Sequence, residues 1–600
     1  MQRFKVLMLV AALMLPGAVA CAQPTTFTGS LTQAIEVPPT GVSATGTATV
    51  TLDPTAKTLR VQATFSGLTS GVVMAHIHCC LPSLFQTGVN VPVATTVPAF
   101  AGFPLGVTSG TYDRVLDLTQ ASSYNPAFVT AQGGTVAGAQ AALINGIKNG
   151  LTYFNIHTTN FPSGEIRDFL SAVPTPAALS LLKTIPINGT AASTSTKLFS
   201  FDISYVDPAT GLFYLADRSN AALDVIDTTG AFTGKAETLF GQIGGPGIGF
   251  AGDTGSTATS GPNGVAAASP CVFASDSAAS GGGRVVSINT GVSFTTLASS
   301  VNTGGVARAD ELAFDPKDNV LVVINNADTP PFATFLNVNP STCALTIASK
   351  LTLNAANKIN ATNGAEQPQW QGFFTQKFFL SVPEVDGDGS GAFPKGAVAQ
   401  INPNGTLEGL YQVNFCQPAG NTVGPNGDLQ IGCNSVFDTS ATPTSTTHKC
   451  TAVVPSPSPA GTAAGAPATC NNGISGAQEV VCNPFNGCTP SNGSIVSVPG
   501  VGGGDEVWYN PGDGNYYATA GNNPGGPALA VIASKTNKLT QSVSTLPPVP
   551  AVPSGAGKHS AGTVHSVAAS AINNHVYVAL PANTSYPNCV QGCIAVFGAQ

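Results

Sequence analysis

GTATVTLDPTAKTLRVQATF, residues 46–65, reads as two strands and a turn. Side chains alternate from Gly46 to Asp53, Pro54 opens a turn, and the return leg sets Leu59, Val61, Ala63 and Phe65 on one face. A period of two marks a half-buried strand, because successive side chains leave opposite faces of the pleat. Such a face needs a second apolar layer to cover it. Similar short segments follow and end at GEIRDFL, 164–170. The spacing predicts an antiparallel sandwich of about eight strands over residues 26–172.

Outward from this hairpin the composition keeps the same character. Charged residues make up 9 % of the 600, against 67 Gly and 45 Pro, and helical periodicity is almost absent. The profile is all-β with many loops, and the length calls for two or more domains. A net charge of −8 argues against nucleic acid, which calls for a basic face. No later apolar run reaches membrane-spanning length, so no transmembrane segment is expected beyond the N-terminus.

The first 22 residues read as a signal peptide: Arg3 and Lys5, the apolar VLMLVAALML, then the small residues of GAVACAQ. Cleavage is expected after Ala20 or Ala22, giving a secreted or extracytoplasmic protein. Lipid anchoring at Cys21 is the less favoured alternative, since Ala18 stands where a lipobox usually has Leu. With Cys21 set aside, the 13 cysteines leave an even number, as disulfides require. Cys416, Cys433, Cys450, Cys470, Cys482 and Cys488 crowd one region, and Cys589 and Cys593 lie close together. Zinc is the weaker reading there, because no C-x-x-C pair occurs and His448 is the one nearby histidine.

Three segments in order, IEVPPTGVSATGTATVTLD at 35–53, AHIH at 75–78 and YFNIHTTNFPSGEIRDFL at 153–170, resemble the CHRD domain. That module was first recognised in chordin and is common in secreted bacterial proteins; the resemblance implies a small extracellular β-domain with no agreed activity. It also places His76, His78 and His157 in one domain. His76 and His78, two apart on a strand, leave the same face. Three converging imidazoles could bind zinc or copper, with Glu165 as an outer acceptor. The competing reading has the histidines bond backbone groups, with Glu165 and Arg167 in a structural charge network. Adjacent Cys79 and Cys80 point to opposite faces of a strand, so each is expected to pair elsewhere.

Beyond a link near Pro174 the character changes. FDISYVDPATGLFYLAD (from 201), DELAFDPKDNVLVVINN (310) and DEVWYNPGDGNYYATAG (505) share a strand–turn–strand plan. QWQGFFTQKFFLSVP (369) and HSVAASAINNHVYVALP (565) share the shape, and GPNG opens two more units at 261 and 424. Such repetition predicts a β-propeller over 178–600 of about seven blades, with six the other count. A Pro/Ser/Ala/Cys-rich insertion is expected at 437–492, and LSLLKTIPI at 179–187 is expected to pair with the last blade. The repeats are similar to those of secreted NHL, YVTN and gluconolactonase-like propellers.

The innermost strands would bring Asp202, Glu311, Asn426 and Glu506 to a central channel, where their oxygens suit Ca²⁺. The alternative is that they solvate the channel. No G-x-S-x-G, H-E-x-x-H or P-loop occurs, so nucleophile-based catalysis has no support. The expected function is a secreted, non-catalytic binding or cell-surface protein meeting an extracellular protein or polysaccharide. The alternative is a metal-dependent hydrolase or lactonase working in the propeller channel.

Overall fold

The hairpin at 46–65 lies inside an eight-strand sandwich. Its strands are Thr25–Leu31 (β1), Thr45–Asp53 (β2), Thr58–Ser66 (β3), Val72–Cys79 (β4), Gly110–Asp117 (β5), Thr152–Thr158 (β6), Ile166–Phe169 (β7) and Ser171–Ala172 (β8). One sheet runs β5-β3-β2-β1-β8 and the other β4-β6-β7. Val50 faces Val61 and Leu52 faces Leu59 across the hairpin. These residues bury against Ala75, Ile77, Phe154 and Ile156 of the second sheet.

The computed structural model describes residues 24–599 except 175–177, 190–195, 279–280, 374, 390–394, 415, 438–477, 483–494, 522, 524–526 and 546–563. The signal-peptide reading, Cys21, Cys450, Cys470, Cys488 and most of the 437–492 insertion lie outside the described residues.

Two helices interrupt the all-β reading, Pro126–Ala131 (α1) and Val136–Lys148 (α2). Asn125 and Thr135 cap them, accepting from the backbone N–H of Ala127 and Gly138. The buried face of α2 is Ala139, Leu143, Gly146 and Ile147, a helical spacing that small residues make faint in sequence. Gly146 is required by close approach: a Cβ there would lie 2.4 Å from Cys79 Sγ.

The longer region folds into seven four-stranded antiparallel sheets. Their first strands are Ser204–Val206, Val265–Ala268, Leu312–Asp315, Pro368–Gln371, Cys416–Val423, Val507–Asn510 and Val567–Ser570. Each lies beside the first strand of the next sheet, and the seventh lies beside the first. Leu179–Pro186 pairs with Cys593–Ala599, as the sequence leads one to expect. The fifth sheet departs from the reading. GPNG at 424–427 is the turn after its first strand, not the approach to one, and Gln478–Cys482, inside the expected insertion, is its third strand.

The sandwich packs on this region through a shared apolar cluster that includes Phe85, Tyr153, Phe169, Phe373 and Tyr509. Polar contacts fix the docking: Lys148 Nζ donates to Ile572 O at 2.6 Å and Asn145 Nδ2 to Pro208 O at 3.0 Å.

Disulfides join Cys271–Cys343, Cys416–Cys433 and Cys589–Cys593. Cys79 and Cys80, expected to pair elsewhere, are bonded to each other. Adjacent side chains leave opposite faces across a trans peptide; the peptide between these two is cis, and their Cα atoms lie 3.0 Å apart. Among the described residues no helix is long and apolar enough to cross a membrane.

Candidate metal centre

Alternation on β4 sends Ala75 and Ile77 into the sandwich core and His76 and His78 to the other face. On β6 the same parity sends Tyr153, Asn155 and His157 to that outer face, with Asn155 opposite His76 and Tyr153 opposite His78. This face is not exposed. His76, His78 and His157 retain 1 %, 7 % and 5 % of their accessible surface.

Each ring spends one nitrogen on a backbone carbonyl. His76 Nε2 bonds Pro98 O at 2.6 Å, His78 Nδ1 bonds Val91 O at 2.7 Å, and His157 Nδ1 bonds Pro162 O at 3.1 Å. A carbonyl only accepts, so these nitrogens carry the protons. The other three, His76 Nδ1, His78 Nε2 and His157 Nε2, are buried with no hydrogen-bond partner. Each residue offers a ligand atom within 4.8 Å of the other two. Orphaned buried acceptors are costly. One cation among them would satisfy all three, and the carbonyls already fix the tautomer that a ligand imidazole needs. The donor set fits zinc or copper.

Burial is the main cause that pushes all three imidazoles down, His76 and His157 to about 4 and His78 to about 3. The trio is therefore neutral at pH 7, the state that binds metal. Because these values lie below that of an unfolded histidine, the trio's contribution to stability is complete above pH 6.5 and is lost as pH falls toward 4. Charging His76 or His157 in acid costs the fold roughly 3 kcal/mol each relative to neutral pH. Glu36 works in the opposite sense, since burial raises it to about 7 and favours the fold in acid. Histidine NMR separates the two effects. In metal-free protein the three rings are expected to stay neutral down to pH 5; titration near 6.5 would show that they are not buried as described.

The surroundings differ from the sequence reading in two ways. Glu165 touches no histidine; its carboxylate accepts from Thr69 N at 2.7 Å and Thr69 Oγ1 at 3.1 Å, and from Thr158 Oγ1. Arg167 pairs not with Glu165 but with Glu36 at 3.8 Å. Residues two apart on a strand leave the same face, yet Glu165 stands just before β7 and turns toward the 69–70 loop. Arg167 also donates to Ile35 O and Asn90 Oδ1, both at 2.7 Å, and lies 4.5 Å over the Tyr153 ring. Tyr153 in turn stacks on His78 at 4.6 Å. Gly164, at φ 126°, is required beside them, since a Cβ would lie 2.5 Å from Asn155 Nδ2 and 2.7 Å from Glu36 Oε2.

Among the described residues, the acidic side chains read as a calcium site do not bring three ligand atoms within 4.8 Å of one another. Asn426 is exposed on the turn after the fifth sheet's first strand, whereas Gln417 and Asn421 are the amides buried on that strand. Asp202 is already engaged by cationic groups: Arg218 donates to its carboxylate, Arg308 lies 3.8 Å away, and His565 Nε2 lies 2.7 Å away. Glu311 and Glu506 are raised well above the usual range by burial and then by neighbouring carboxylates. Among the described residues, the histidine trio is the group of three or more ligand side chains that closes to such distances. Arg218, Arg308, Asp310, Glu366 and Asp505 complete the charged end and were not singled out as site residues from sequence. Arg308, Asp310, Glu366 and Asp505 lie at the approach to a first strand, and Arg218 directly follows Leu212–Asp217, the second strand of the first sheet.

Residues 27–170 match the family model of the CHRD domain. No curated protein matches the chain. Solved structures similar to it include hydrazine synthase of Kuenenia stuttgartiensis, at 11 % identity and a TM-score of 0.41, covering 68 % of this chain and 98 % of that one. The Dos1 propeller is similar at 8 % identity and a TM-score of 0.38, covering 70 % and 95 %. A Bacteroides fragilis protein provisionally assigned as a 6-phosphogluconolactonase gives 11 % and 0.34, covering 68 % and 99 %.

Proposed function

We propose that this is an exported metalloprotein whose CHRD domain (26–172) holds one zinc or copper ion on His76, His78 and His157, carried beside a closed seven-bladed propeller (178–600). The observation behind the metal reading is the set of three buried, unpartnered ring nitrogens that converge while their opposite nitrogens are tied to carbonyls. Export is supported by the signal-like first 22 residues and the disulfides. Closure is supported by the adjacency of the seventh first strand to the first and by the Leu179–Pro186 pairing. A metal-dependent role is favoured over a purely adhesive one, with its ion in the first domain and not in the channel. When bound, the ion supplies Lewis acidity or, as copper, electron transfer. The chain's own part is to hold three neutral imidazoles in one tautomer and to exclude water from them.

Chelator-treated protein titrated calorimetrically with Zn²⁺, Cu²⁺ and Ca²⁺ tests this. One equivalent of Zn²⁺ or Cu²⁺ is expected to bind and Ca²⁺ to give no heat. Failure of both transition ions to bind would remove the proposal.

A further inference from the structure

A cavity of about 1070 Å³ lies between the sandwich and the seven sheets. Tyr205, Phe314, Trp370 and Trp508, each from the first strand of a different sheet, line one side. Ile144 of α2 and Leu84 line the other. Ala266, Ala313 and Ala569 keep the sheet side open where larger residues would fill it. At its edge Ala141 is exposed and Gln132 half-buried, so the cavity reaches the surface beside the helices.

Two features narrow the occupant. The volume is that of a site for a drug-sized molecule. Asp207 is the one charged residue in the lining, and its carboxylate is taken up by Ala209 N at 3.0 Å and Thr210 Oγ1 at 2.7 Å, so nothing there selects an ion. We propose that this cavity binds an uncharged, ring-containing apolar molecule. The aromatic faces take the rings. The site is separate from the histidine trio and does not depend on a metal there.

The chain has two tryptophans, and both line the cavity, so intrinsic fluorescence reports on it directly. The full chain, with and without chelator, is titrated with prodan, an uncharged naphthyl ketone whose emission shifts to the blue when it leaves water. The proposal expects saturable binding near one per chain, with tryptophan quenching along the same curve in both conditions. Ile144→Phe and Ala141→Phe on the partly exposed helix narrow the cavity and are expected to weaken binding at least tenfold. An unchanged tryptophan emission maximum and an unchanged thermal transition in the absence of probe confirm that each variant is folded. Absence of saturable binding overturns the proposal, as does binding that both folded variants leave intact or that a sulfonated naphthalene matches.

Discussion

Replacing His157 by Ala is expected to abolish tight metal binding while leaving the protein folded. The side chain supplies one of three nitrogens, and the remaining pair on β4 cannot close a site alone. Binding energies for zinc in closed protein sites run on the order of 12 kcal/mol, so losing a third, about 4 kcal/mol, costs near a thousandfold in affinity. The fold should survive. The substitution removes an orphaned nitrogen along with the ring, and the lost contact to Pro162 O is a single hydrogen bond at a loop. Calorimetry and thermal melting separate the two effects. Affinity within tenfold of the parent would show that His157 is not a ligand.

Arg167→Met should have the largest effect on stability. The guanidinium is almost wholly buried and ties together segments that only the fold brings near: Ile35, Val89, Asn90 and the Glu36 carboxylate. Removing one partner of a buried ion pair typically costs about 3–5 kcal/mol, because the other is left uncompensated. Val91 O, which fixes the His78 ring, lies next along the same loop, so metal affinity should also fall, by about 10–100-fold. The double variant Glu36→Gln with Arg167→Met is expected to recover part of the stability. Chemical denaturation of the three proteins checks this. Equal stability of Arg167→Met and the parent would show that the pair does not hold the loop.

The parts of this architecture written in local alternation were legible from sequence. The β2–β3 hairpin, most approaches to the seven sheets and the shared face of His76 and His78 follow from a period of two and recurring turns. What depends on longer-range placement was not. GPNG serves as the approach to a strand at 261 and as a turn at 424, and nothing within four residues tells them apart, which is why Asn426 was misplaced. The apolar face of α2 is built of Ala, Gly and single large residues, too weak a stripe to stand out. The partner of Arg167 lies 131 residues away at Glu36, while the neighbouring Glu165 was the natural guess. The carbonyls that orient the histidines come from loops 91–98 and 162, where no side-chain type announces a backbone acceptor.

X-ray absorption at the metal edge of protein loaded with one equivalent of Zn²⁺ or Cu²⁺ tests the central claim most directly. The predicted spectrum shows three imidazole nitrogens at about 2.0 Å with their outer-ring scattering, falling to two in His157→Ala. A first shell of oxygen or sulfur without imidazole, or a parent spectrum unchanged in the variant, would contradict it.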